Sequence, residues 1–224
     1  MFNKPNRLSR LTSACGLALL ASLALVALAA PSSALAAGPK FNGGSPPLSF
    51  TSTGASVVVS ESSGNVWSCS SSSGSGTWTT TSTGTGTLTF KGCAFGSGTC
   101  TSPGQPAGTI VTSTLGLQSV YLDKARTKYG TLFTPPASGV FAEIECGFGG
   151  IKIKKNWNGS LIGQITSPGL YQSSNQNTLV FDDITPGKQQ YTQVEEGGPV
   201  YQLEGTAITN TQTVKYPYLI TWCC

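Results

Sequence analysis

Five apolar residues near the C-terminal end, Val214, Tyr216, Tyr218, Ile220 and Trp222, stand two positions apart. Successive side chains of an extended strand point to opposite faces, so all five share one face and read as a core stripe. A helix would scatter them around its axis. Pro217 falls on the other parity and has no N–H for a ladder, which places this strand at a sheet edge or gives it a bulge. The two-residue period recurs along the chain, with Leu88 and Phe90 in 87–91, Ala142, Ile144 and Cys146 in 140–146, and Ile151 and Ile153 in 151–155. Clusters of Gly, Pro, Asn and Ser separate these runs, and no helix-period pattern of useful length competes with them. The expected fold class is all-β, an antiparallel β-sandwich or an open barrel-like sheet.

One stretch is compositionally extreme: from Ser70 to Thr87, 17 of 18 residues are Ser, Thr or Gly, and the exception is Trp78. Such a run can be a flexible linker. Threonine is β-branched and favours strands, so a solvent-exposed hairpin with threonine faces is the preferred expectation.

The N-terminus has the organisation of an export signal. Lys4, Arg7 and Arg10 precede an uncharged apolar run of 15 residues, Gly16 to Ala30, and Ala34-Leu35-Ala36 supplies the small residues of a cleavage site. The run is shorter than the roughly 20 residues of a membrane-spanning helix. Cleavage is expected after Ala36, leaving a secreted chain with no membrane association, a flexible leader over 37–47 and a single β-rich domain over 48–224. Removing three of the 13 basic residues leaves ten against nine acidic ones, a net charge of +1. That balance gives no basic footprint for nucleic acid.

Of the seven cysteines, Cys15 is discarded with the signal. An even number then remains in an exported chain, which reads as a disulfide framework. The short Gly-containing loop between Cys93 and Cys100 makes those two the first expected pair, worth about 2–3 kcal/mol by chain entropy. Cys69 with Cys146 is the second. For Cys223 and Cys224 a strained vicinal disulfide, pairing elsewhere and pairing between chains all stay open. No metal site is expected, because the chain has no histidine and no Cys-x-x-Cys spacing.

The absence of histidine removes Ser-His-Asp and Cys-His catalysis. Glu143 and Glu145 share a strand face, about 6–7 Å apart, a separation that two-carboxylate glycoside hydrolysis can use. The opposite parity carries Ala142, Ile144 and Cys146, so both glutamates read as outward-facing. Asp182-Asp183 precedes Ile-Thr-Pro-Gly and reads as a turn. Cys146-Gly-Phe-Gly-Gly150 reads as a hairpin turn, and Lys152, Lys154 and Lys155 as a solvated strand face that resists edge pairing or meets an anionic polymer. Trp78, in its Ser/Thr surroundings, and Trp157, within Asn-Trp-Asn-Gly, are the candidate ligand-binding residues, read as exposed rings on which sugars stack.

Four segments, Thr87-Leu-Thr-Phe-Lys-Gly-Cys93, Cys100-Thr-Ser-Pro-Gly-Gln-Pro-Ala-Gly-Thr-Ile110, Gly139-Val-Phe-Ala-Glu-Ile-Glu-Cys146 and Gly159-Ser-Leu-Ile-Gly-Gln-Ile-Thr166, resemble an uncharacterised family of exported β-rich proteins from actinobacterial soil bacteria. The resemblance spans roughly residues 65–215. It implies export, a β-rich fold and four framework cysteines, Cys69, Cys93, Cys100 and Cys146, and it implies no activity. Cys223-Cys224 departs from the pattern. The expectation is therefore a secreted or envelope-associated, non-enzymatic β-domain without a cofactor, in contact with polysaccharide or a surface protein. The alternatives are a two-carboxylate hydrolase and a self-assembling surface subunit.

Overall fold

The computed structural model describes residues 38–61, 66–122, 126–181, 192–196 and 203–223. The expected export signal and the Asp182-Asp183 turn lie outside the described residues. So does Cys224.

Seventeen strands and no helix occur among the described residues. They are β1 (Lys40–Asn42), β2 (Leu48–Gly54), β3 (Val57–Glu61), β4 (Val66–Cys69), β5 (Ser71–Trp78), β6 (Thr83–Lys91), β7 (Ala94–Phe95) and β8 (Gly98–Thr101). There follow β9 (Thr109–Val111), β10 (Leu115–Tyr121), β11 (Tyr129–Thr134), β12 (Val140–Phe148) and β13 (Ile151–Asn158). The last four are β14 (Leu161–Ser167), β15 (Ser173–Phe181), β16 (Thr192–Glu196) and β17 (Leu203–Cys223).

Eight of these close an antiparallel barrel in the order β2-β5-β6-β10-β11-β14-β15-β17 and back to β2. The all-β expectation holds, and the barrel-like architecture is realised in closed form. The outer strands also pair in succession, β3-β4-β7-β8-β12-β13-β16, and both ends of that series join β17. The 21-residue strand β17 is therefore a stave of two rings. Its residues 203–209 pair with β16 and β3, and 210–223 with β15, β2 and β1.

Asn210 sits where the chain passes from one ring to the other. Its side chain is buried, and its Nδ2 donates to the carbonyls of Ala55 (3.3 Å) and Ser56 (3.1 Å), the residues that carry β2 into β3. Its Oδ1 accepts from Ser72 Oγ at 3.2 Å. One side chain thus satisfies backbone oxygens that the crossover withdraws from the ladder.

The Ser/Thr/Gly run forms the hairpin of β5 and β6, paired from Ser71↔Lys91 to Trp78↔Gly84. It is a pair of barrel staves and not a solvent-exposed hairpin. Gly84, Gly86, Leu88 and Phe90 are buried on the inner side of β6. A Cβ on Gly76 would overlap the Thr85 carbonyl and the Phe50 ring, so glycine there makes room for a barrel-filling aromatic.

Two further expectations, the flexible leader and the inward Ile151 and Ile153, are corrected, and the C-terminal strand takes the bulged one of its two alternatives. The leader at 37–47 contains β1, whose Phe41 is fully buried and packs edge-to-face on Trp78 (6.0 Å) and Trp222 (5.6 Å). The C-terminal strand is not an edge: Pro217 lies in a bulge, because β15 pairs Gln176 with Lys215 and then Ser174 with Ile220. The bulge turns Tyr218 out to solvent, while Val214, Tyr216, Ile220 and Trp222 stay buried. Ile151 and Ile153 are exposed and not inward: β16 pairs with β13 only over Lys155–Asn158, so among the described residues 151–154 have β12 alone beside them. Its turn falls at Gly149-Gly150, both with positive φ, as the glycine-rich sequence indicates.

Replacing Asn210 by Ala leaves two buried carbonyls and the Ser72 hydroxyl without their partner. A loss of about 1–3 kcal/mol is expected, read as a lower urea midpoint with an unchanged slope. An unchanged midpoint would mean that the crossover does not depend on this side chain.

Candidate functional site

Trp78 and Trp157 are not surface residues. Trp78 is 2% exposed and Trp157 1%, and Trp67 and Trp222 are buried as well. Polar sequence neighbours did not mark exposure, because alternate positions of a barrel stave face opposite ways. Trp78 meets Phe41, Phe50 and Trp222 inside the first ring. Trp157 lies against Trp67 with centroids 4.4 Å apart, and against Phe90 and Phe141. Phe90 belongs to β6 of the first ring, so the two interiors form one continuous core.

The interior of the first ring holds a small space. Its walls include Phe50, Trp78, Leu117, Phe133 and Leu179, together with the polar side chains of Ser52, Asn177, Gln212 and Tyr216. Only about 20 Å³ is left to the centre of a water-sized sphere, enough for about one water and far below a small-molecule site of about 300 Å³ or more. Ser52 Oγ donates to Gln212 Oε1 at 2.7 Å, and Gln212 Nε2 has no hydrogen-bond partner among the described residues. Asn177 Oδ1, with the amide turned to suit its donors, accepts from Trp222 Nε1 (2.7 Å) and Tyr216 Oη (3.3 Å). The polar groups mostly answer one another, and the barrel is a packed core and not a ligand cup.

The second ring encloses a smaller space beside Trp67, Phe95, Cys146, Lys155 and Trp157. Lys155 departs from its expected place on a solvated face. It is 6% exposed, with its ammonium 5.3 Å from the Phe95 ring centre. Lys152 and Lys154 remain outside.

Glu143 and Glu145 do face outward, and Ala142, Ile144 and Cys146 are buried. The Glu145 carboxylate pairs with Lys152 Nζ at 2.6 Å. The hydrogen bond from Lys152, with the Lys152 and Lys154 charges, holds its carboxyl below the usual glutamate range against some desolvation. A general acid in glycoside hydrolysis needs the opposite shift.

Both expected disulfide pairings are corrected. Cys69 is bonded to Cys93 and Cys100 to Cys146. The four cysteines stand in one row, Cys69 in β4, Cys93 immediately before β7, Cys100 in β8 and Cys146 in β12. Strands lie about 4.8 Å apart, so Cys69 and Cys146, three strands apart, are separated by about 14 Å and cannot bond. Only the two outer pairs leave no cysteine of the row unbonded.

The exposed aromatic side chains lie elsewhere. Tyr171, Tyr218 and Leu219 are 70%, 60% and 62% exposed. Tyr171 takes a positive φ of 66° and its N–H donates to Trp222 O at 2.8 Å. Beside it, Ser173 Oγ and Thr221 Oγ1 share a hydrogen bond of 2.7 Å. The 214–222 alternation assigned Tyr218 to the core, and only Pro217, as a bulge signal, hinted otherwise. Compared with family models, with curated proteins and with solved structures, the chain matches none.

Two buried tyrosines set an alkaline limit. Burial raises the Tyr129 phenol to about 12, and its hydroxyl donates to Pro168 O at 2.6 Å. Burial pushes Tyr216 up further. The unfolded phenols ionise near about 10. Stability from these groups is therefore complete below pH of about 10 and is lost as pH rises through about 12. Urea midpoints should hold to about pH 10 and then fall, with a shallower fall in Tyr129→Phe. A midpoint indifferent to pH over that window would contradict the buried placement.

Proposed function

We propose that this chain is an exported, non-enzymatic β-barrel domain that meets an extracellular polysaccharide with its outer surface. The observation that carries this reading is the filled interior of the closed barrel. With space for about one water inside, a ligand has only the exterior to hold. Two disulfides fit a chain that matures in an oxidising compartment. The pairing of Glu145 with Lys152 speaks against a carboxylate kept protonated for catalysis. The binding surface is assigned to Tyr171, Tyr218 and Leu219 with the Ser173–Thr221 hydroxyl pair, since exposed rings stack on pyranose faces and neighbouring hydroxyls bond their edges.

The test is retention of the processed protein from culture fluid on insoluble cell-wall and plant polysaccharides. Retention is expected, and Tyr171→Ala with Tyr218→Ala should reduce it at least tenfold without changing the melting temperature. Equal retention by the double variant would remove the assigned surface. Release of reducing sugar, abolished by Glu143→Gln, would replace the reading with a hydrolase.

A further inference from the structure

The cysteine row has a chemical property that its two bonds do not use. Ser68 pairs with Ala94, which sets Cys69 opposite Cys93. Ala94 pairs with Thr99, which sets Cys93 opposite Cys100, and the Cys100 N–H donates to the Cys93 carbonyl at 2.9 Å. Cys100 is the register partner of Cys146. Directly opposed residues of an antiparallel pair project to the same face, and all four side chains are buried. The inner two, Cys93 and Cys100, are thus neighbours that belong to different disulfides. An inner thiolate lies one strand, about 5 Å, from the other bond, whereas an outer one lies about 10 Å from it.

We propose that this row is a site of intramolecular thiol–disulfide exchange, in which the covalent link moves from an outer pair to Cys93–Cys100. The step begins when Cys100 is a thiol, either before oxidation is complete or after an external thiol has taken Cys146 as a mixed disulfide. Cys100 gives up its proton to solvent, and its sulfur attacks Sγ of Cys93. The Cys93–Cys100 bond forms as Cys69–Cys93 breaks. The electron pair leaves on Cys69, which takes up a proton. One bond forms, one breaks, and no oxidant is consumed. The mirror step starts from a Cys93 thiol, attacks Cys100 and releases Cys146. In the exchanged state the β7–β8 hairpin is closed on itself, and β4 and β12 keep only their hydrogen bonds to it.

The geometry distinguishes outer from inner cysteines, and so does the test. The oxidised protein with Cys146→Ala is held at pH 8, quenched with acid, alkylated and mapped by peptide mass. Two species are expected, one with Cys69–Cys93 and an alkylated Cys100, the other with Cys93–Cys100 and an alkylated Cys69. Cys69→Ala should give the mirror pair. Cys100→Ala should show alkylation at Cys146 and none at Cys69 or Cys93, because the stranded thiol is two strands from the surviving bond. A single Cys69–Cys93 species in Cys146→Ala would overturn the proposal, as would equal scrambling in Cys100→Ala, which would place exchange in the unfolded chain. Should a variant lose its β-sheet circular dichroism, the unsubstituted protein treated with less than one equivalent of a dithiol reductant serves instead. Cys93–Cys100 is then expected among the molecules with two alkylated cysteines of the row, and its absence would overturn the proposal.

Discussion

Everything in this fold hangs on one strand that serves two rings. A closed barrel has no free edge, because every stave bonds to a neighbour on each side. A second ring can be attached without opening the first only if the two share a stave, and β17 is long enough to be that stave. At its middle the neighbours change, from β16 and β3 to β15 and β2. The backbone of 55–56 leaves the ladder there, and Asn210 takes up its carbonyls. A buried amide is an efficient choice for this place, since one side chain offers two donors and one acceptor in a fixed plane.

The remaining architecture follows from filling so narrow a barrel. Eight strands leave an interior that side chains can occupy completely. Here aromatic rings such as Phe50, Trp78 and Phe133 reach into the interior, and glycines on nearby staves, Gly76 and Gly86, leave room for the Phe50 ring. Interior polar groups bond to one another between nearby staves, Ser52 of β2 with Gln212 of the adjoining β17 and Ser72 of β5 with Asn210 one stave beyond β2. Buried polar pairs of this kind specify register, because a slip by one residue would turn them outward and bury their neighbours. The aromatic bulge of β17 stands on the exterior of this packed barrel, and it is there that the proposed polysaccharide contact is assigned.

What could be read from the sequence were local, period-two features. The strand at 214–222, the hairpin at 70–87, the outward glutamates and the Gly149-Gly150 turn each follow from alternation or from backbone freedom within a few residues. What could not be read depends on partners far along the chain. Trp78 and Trp157 have polar sequence neighbours yet point inward, and only ring closure decides which parity is inside. Cys93 and Cys100 are the closest cysteines in sequence and are adjacent in the sheet. Their bonding elsewhere is decided by Cys69 and Cys146, which bring two more sulfurs into the same row. Phe41 reads as part of a glycine- and proline-rich leader, and its burial depends on a cleft between Trp78 and Trp222 that no local pattern describes. Tyr218 breaks the stripe because a bulge around Pro217 inserts residues that the period does not count.

Hydrogen exchange along β17 tests the shared stave most directly. If both rings use this strand, amides of residues 206–215 and of 220–222 should be among the slowest in the chain. They should also open together as denaturant is raised, as one cooperative unit. A C-terminal half that exchanges at the rate of an open edge, or two halves with clearly different opening free energies, would contradict the account.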